Sequence, residues 1–164
     1  MKILGVDPGL RITGYAVIEA LPARIRQPHL IEAGVIRPST TAKISQRLKV
    51  IHDELCELIR ERKPEVMVIE KLYSDYRHPS TAILMGHARG VICLTSAVCG
   101  IPLASLPSTR VKKAVVSHGH ASKDKVGRAV QAILGLKAVP KPPDVADALA
   151  VAIAFAWMMG KEPL

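Results

Sequence analysis

Aromatic side chains are almost missing: one Trp, one Phe and three Tyr make up 3% of 164 residues. A core must therefore rest on Ala, Val, Ile and Leu. With 49% apolar residues, there is enough to bury one without staples. Cysteine is equally scarce. Cys56, Cys93 and Cys99 are odd in number and form no C-x-x-C pair. That excludes a disulfide framework or a zinc ribbon and suits a reducing cytoplasm. Long hydrophobic runs are lacking too. The opening MKILGVDPG has an Asp in its apolar run, unlike a signal peptide. The longest uncharged apolar stretch, Ala148 to Gly160, is too short to span a bilayer. The chain has no repeats, and its length is that of one domain over residues 1–164.

Acidic residues are outnumbered, 14 against 23 Lys and Arg, for a net charge of +9. Solubility alone would account for such an excess, but its distribution points further. Arg110, Lys112, Lys113, Lys123, Lys125 and Arg128 cluster against the single acid Asp124. Such a cluster suits a polyanion such as a nucleic acid backbone.

Lys2–Asp7, Thr13–Glu19 and His29–Arg37 read as three short strands in an antiparallel meander. A basic, Pro-bracketed loop at Leu21–Pro28 joins the last two. Ile44, Leu48, Ile51, Leu55, Leu58 and Ile59 recur at helical spacing, and Pro64 stops that helix. EVMVIE at Glu65–Glu70 is a nearly continuous apolar run, as in a buried parallel strand. A second helix is predicted over Ser80–Val98, a fifth strand over Ile101–Ser105, and three helices opening at Ser108, Ser122 and near Asp144. The order βββαβα β followed by helices is that of a ribonuclease H-like fold: an α/β protein with a five-stranded mixed sheet, its first three strands antiparallel, flanked by helices. A right-handed crossover can set the fourth strand parallel to the first. Asp7 and Glu70 would then project from one C-terminal sheet edge, the usual place for a site.

Each acid has a plainer explanation. Asp7-Pro8-Gly9 is a good turn. Asp144 and Asp147 could cap a helix, Asp144 as N-cap and Asp147 near the third position. Glu70 is harder to explain away, because a charge at the end of a buried strand must be paired or bind a cation. The helix behind Asp147 is apolar around its whole circumference and hence buried. Its two acids therefore sit at the edge of a core, and three apart they share a face. Four carboxylates converging from three segments suit Mg²⁺. A pair of such ions could activate water and stabilise the leaving oxygen of a phosphodiester.

Five segments in order, GVDPGLRITGYAVIE, VIEKLY, GHARGV, VKKAVVSHGHASKDKV and PPDVADALAVAIA, together resemble the RuvC-type Holliday junction resolvases over essentially the whole chain. The resemblance implies a homodimeric endodeoxyribonuclease of recombination and repair that makes paired symmetric nicks in four-way junctions. It implies two Mg²⁺ per subunit, with Mn²⁺ as substitute, and a branch-migration partner of the RuvA and RuvB type. Its four catalytic, metal-holding acids correspond to Asp7, Glu70, Asp144 and Asp147. Its two functional lysines correspond to Lys112 and Lys123, and its junction-contacting aromatic to Tyr73. The family's next aromatic and Asn are replaced by Ser-Asp-Tyr-Arg-His after Tyr73. There Tyr76 keeps a stacking surface, and Lys71, Arg77 and His78 offer phosphate contacts.

Arg110, Lys113, Lys125, His118 and His120 extend the candidate DNA-binding set. The histidine pair in SHGHASK is read as DNA-facing rather than as a metal pair. His52 and His87 are mid-helix and read as structural. Gly86, Ala88 and Gly90 mark close helix packing, either on the protein's own sheet or in a dimer interface spanning Met85–Thr95. Three rivals share parts of the pattern: a YqgF-like nuclease acting on RNA, a non-catalytic branched-DNA-binding protein, and an actin-like kinase. The last needs two such domains, and the chain has room for one.

Overall fold

The computed structural model describes residues 1–71 and 79–160. β1 (Lys2–Asp7), β2 (Thr13–Glu19) and β3 (His29–Ile36) form the expected antiparallel meander. A short 3₁₀ turn at Pro22–Arg24 interrupts the basic loop. α1 (Ile44–Arg62) leads to β4 (Val66–Glu70), which pairs parallel with β1. α2 (Pro79–Val98) leads to β5 (Leu103–Leu106), parallel to β4. The sheet order is β3-β2-β1-β4-β5. α3 (Ser108–Val116), α4 (Lys123–Leu134) and α5 (Pro143–Met159) follow.

β5 begins two residues later than the sequence reading placed it. Pro102 has no N–H to give a ladder. Its carbonyl instead accepts from Met67 N at 2.9 Å, and pairing then runs on to Leu106 opposite Glu70.

Both sheet faces are covered, which is why β4 reads as a continuous apolar run. Ile3, Val66 and Val68 pack with α3, α4 and α5 on one face. Leu4, Val6, Met67 and Ile69 pack with α1 and α2 on the other. Side chains alternate along a strand. Asp7 therefore falls with Ile3 and Gly5, and Glu70 with Val66 and Val68, on the α5 side. α5 is buried along almost its whole length, with alternate Ala residues from Ala146 to Ala156. It lies directly on the sheet backbone. A Cβ on Gly5 would stand 2.2 Å from the Ala148 carbonyl oxygen, and one on Gly14 2.1 Å from that of Asp144. These two glycines let the first turn of α5 reach the end of β1.

α2 docks through Ala88, Ile92, Thr95 and Ser96, all buried. Its other side exposes Ile83 (62%), Leu94 (58%) and Val98 (64%). Gly86 and Gly90 lie on it with open space around them, so close packing on the sheet applies to Ala88 alone. This helix is long and apolar enough to cross a bilayer, a feature the reading of Ala148–Gly160 passed over. Its mid-helix Arg89 is bonded to the sheet instead. The three cysteines are free, with Cys56 Sγ 3.1 Å from Cys99 Sγ.

Candidate active site

Asp7 and Glu70 are the last residues of β1 and β4. Val6 pairs with Ile69, so the two acids are the next step on adjacent parallel strands. One cleft of about 340 Å³ is lined by Asp7, Glu70, Asp144 and Asp147, together with Ser108, Lys112, Lys123 and Met85. The structure thus brings all four predicted acids and both predicted lysines together.

The capping explanation for Asp144 does not hold. Pro142 is the N-cap of α5, and no side chain caps this helix. Pro143 fills the first helical position, where a missing N–H costs nothing. Asp144 is the second helical residue, so its carboxylate is free for the cleft. The chain leaves β1 through Pro8 and Gly9 without a hydrogen-bonded turn and bends at Leu10 and Arg11, and the Asp7 carboxyl lines the cleft.

Crowding of like charge shows in the ionisation of the site. Asp7 is pushed up to about 7 by burial first, then by the charges of Asp147, Glu70 and Asp144, with Lys123 opposing. Burial also raises Glu70, while a hydrogen bond from Ser108 works against the rise. Lys123 is raised, chiefly by its hydrogen bond to Asp147 at 2.7 Å. A carboxylate-rich cleft with this little positive charge is short of a cation. Among the described residues no three Asp, Glu, His or Cys side chains already stand close enough to share an ion. The Lys123 ammonium serves as counter-charge to Asp147. The donor set fits a hard divalent cation, because the cleft offers four carboxylates and neither Cys nor His lines it.

Four contributors were missed from sequence. Ser108 opens α3 and reads only as a helix start, yet it hydrogen-bonds Glu70. Its signal was its position, just after a strand that ends at the same sheet edge. Arg89 was read only as part of GHARGV, and it donates to the Glu70 carbonyl at 2.6 Å. Arg11 and Arg37 are exposed and line a groove that also reaches Asp144. They lie outside the basic cluster that drew attention.

A family model described as crossover junction endodeoxyribonuclease RuvC matches residues 3–155. The chain belongs to the RuvC family. A RuvC protein of Rhodopirellula baltica is 46% identical over 151 residues, covering 92% of this chain and 83% of that one. A RuvC protein of Moorella thermoacetica is 43% identical over 156 residues, covering 95% and 91%. Thermus thermophilus RuvC, solved in complex with Holliday junction substrate, superposes with a TM-score of 0.88 at 32% identity, covering 100% of this chain and 99% of that one. The yeast mitochondrial Holliday junction resolvase, at a TM-score of 0.62 and 15% identity over 96% of this chain and 80% of that one, shares the fold. Membership of the RuvC family sets aside the YqgF-like and actin-like readings.

Among the described residues, the outlying RuvC-like positions divide in two. Lys71 is exposed beside Asp7 and Glu70. Arg110, Lys113, His118, His120 and Lys125 are exposed along α3, α4 and the turn between them, outside the acid cleft. Tyr73, Tyr76, Arg77 and His78 lie outside the described residues. His52 is structural as expected, its Nδ1 2.8 Å from Thr95 Oγ1. His87 is not, because it is exposed.

Proposed function

We propose that this chain, as a RuvC endodeoxyribonuclease, resolves four-way DNA junctions by metal-dependent hydrolysis of phosphodiesters, working as a homodimer that makes paired symmetric nicks. The observation that carries this reading is the convergence of four carboxylates from three elements on one sheet edge of a RuvC-family chain. Mg²⁺ is the metal, two ions per subunit, with Mn²⁺ as substitute. When bound, the metal supplies an activated water and charge neutralisation at the phosphate. Asp7, Glu70, Asp144 and Asp147 hold it.

The protein's own residues do the rest. Ser108 orients the Glu70 carboxyl by donating to it. Lys123 keeps a proton on Nζ beside Asp147, and Lys112 lines the same cleft. Both ammonium groups offer charge to a phosphate that gains charge in the transition state. Lys71, Arg110, Lys113, Lys125, Arg77, His118 and His120 track the backbone of the DNA arms, and Tyr73 stacks at the opened centre. The exposed α2 stripe of Ile83, Gly86, Gly90, Leu94 and Val98 faces the second subunit, where small residues permit close approach of two helices. The nuclease domain spans residues 1–164, acts in the cytoplasm and works with a branch-migration complex of the RuvA and RuvB type.

A nicking assay on an immobile four-way junction, beside linear duplex and structured RNA, tests the reading. The junction should be cut with Mg²⁺ and left intact in chelator. Equal cutting of linear duplex, or preference for RNA, would overturn it.

A further inference from the structure

α2 carries one formal charge along its length, Arg89. A guanidinium in the middle of an apolar helix must be paired to offset its desolvation. Arg89 meets this requirement on the ends of two strands. Nη1 donates to the Glu70 carbonyl oxygen at 2.6 Å, and Nη2 donates to Ser105 Oγ at 3.1 Å. Glu70 pairs with Leu106, the residue after Ser105, so one planar fork spans the tips of β4 and β5. Ser105 follows the alternation of Leu103, which packs on the α1 and α2 side. Glu70 sends its carboxyl to the opposite side, where Ser108 donates to it. The residue is therefore gripped at its main chain from one layer and at its side chain from the other.

We propose that Arg89 is a positioning residue for Glu70: its two-point hold on the β4 and β5 tips sets the direction in which the Glu70 carboxylate enters the acid cleft. This rests on the reading of Glu70 as a metal-holding acid. A guanidinium donates in a fixed fork, whereas an ammonium is a point charge without that geometry. Groups that orient metal-binding side chains are worth about 10–100-fold in metal affinity or activity when removed.

The test compares wild type with Arg89→Met, Arg89→Lys and Ser105→Ala. Mn²⁺ binding to the full chain without DNA is measured by electron paramagnetic resonance. Hydrogen exchange is followed at the Lys71 amide, which donates to the Leu106 carbonyl at 2.8 Å. Arg89→Met should weaken Mn²⁺ binding about tenfold and speed exchange at Lys71, with junction affinity in chelator unchanged. Ser105→Ala, which keeps a folded helix and one of the two bonds, should shift both readouts the same way by less. It decides the matter if Arg89→Met fails to fold. Arg89→Lys should remain defective. Unchanged Mn²⁺ affinity in both Arg89→Met and Ser105→Ala would overturn the proposal, and so would full recovery by Lys. A wild type that binds Mn²⁺ but cuts no junction would defeat the proposed function and leave the Arg89 result standing.

Discussion

Lys123 donates from Nζ to Asp147 Oδ2 at 2.7 Å, joining the first residue of α4 to the first turns of α5 across the acid cleft. The lysine side chain is 71% exposed and the carboxylate 20%. The bond therefore contributes little to stability, and its importance lies in where it puts a positive charge.

Replacing Lys123 by Ala should lower the junction cleavage rate by about 100-fold, the scale of a lost group that stabilises transition-state charge. Junction affinity in chelator should change by only a few fold. A distant phosphate contact would instead weaken binding and reduce the salt slope by about one unit. Equal losses in rate and affinity would assign Lys123 to that simpler role.

The raised Asp7 carboxyl sets a pH dependence. Its ordinary value is 3.8, and in the fold it is about 7. The fold favours the protonated form, so this contribution to stability is complete below about pH 4. It is lost progressively as pH rises through 7. Asp7→Asn should match wild type in melting temperature near pH 4 and exceed it by a margin that grows up to pH 7 and then levels off. Mg²⁺ should close that gap by stabilising wild type. Thermal unfolding of both proteins across this range, with and without Mg²⁺, makes the comparison. A constant difference at every pH would contradict it.

Gly14 should be as necessary as the acids it seats. A methyl group there would meet the Asp144 carbonyl oxygen at 2.1 Å, so α5 must move. Gly14→Ala should cost about 1–3 kcal/mol by overpacking and lose most cleavage, with a folded circular dichroism spectrum. Full activity would mean that the position of α5 tolerates displacement.

The α2 stripe should hold the dimer together. Leu94→Glu places a charge on an exposed apolar position and should not unfold the subunit. Light scattering should fall from about twice the chain mass to the monomer mass, and paired nicking should give way to single nicks. A dimer that persists would move the interface elsewhere.

Much of this architecture was legible before any coordinates. The continuous apolar run ending at Glu70 and the strand ending at Asp7 put both acids at one C-terminal sheet edge once the two strands are parallel. The all-round apolar helix after Asp147 announces burial. That all of them share one face follows from the register of β1 against β4. What the residues did not disclose depends on backbone contacts between distant segments. Pro142 rather than Asp144 ends up as the helix cap, because two prolines already start the turn. The start of β5 slips to Leu103, because Pro102 can only accept in the ladder. Ser108 and Arg89 belong to a helix start and a helix middle in sequence, and only the fold carries them to Glu70. Tyr73, read from resemblance alone, lies outside the described residues.

The central claim is that Asp7, Glu70, Asp144 and Asp147 together form the metal-dependent cutting centre. The most direct measurement is single-turnover cleavage of an immobile four-way junction by wild type and by Asp7→Asn, Glu70→Gln, Asp144→Asn and Asp147→Asn, in Mg²⁺, with junction binding measured in parallel. Wild type should give symmetric paired nicks. Each variant should bind the junction at least as well, having lost negative charge that faces DNA, and should cut it at no more than background rate. A wild-type rate from any one variant would remove that acid from the centre, and undiminished wild-type cutting in chelator would contradict the account as a whole.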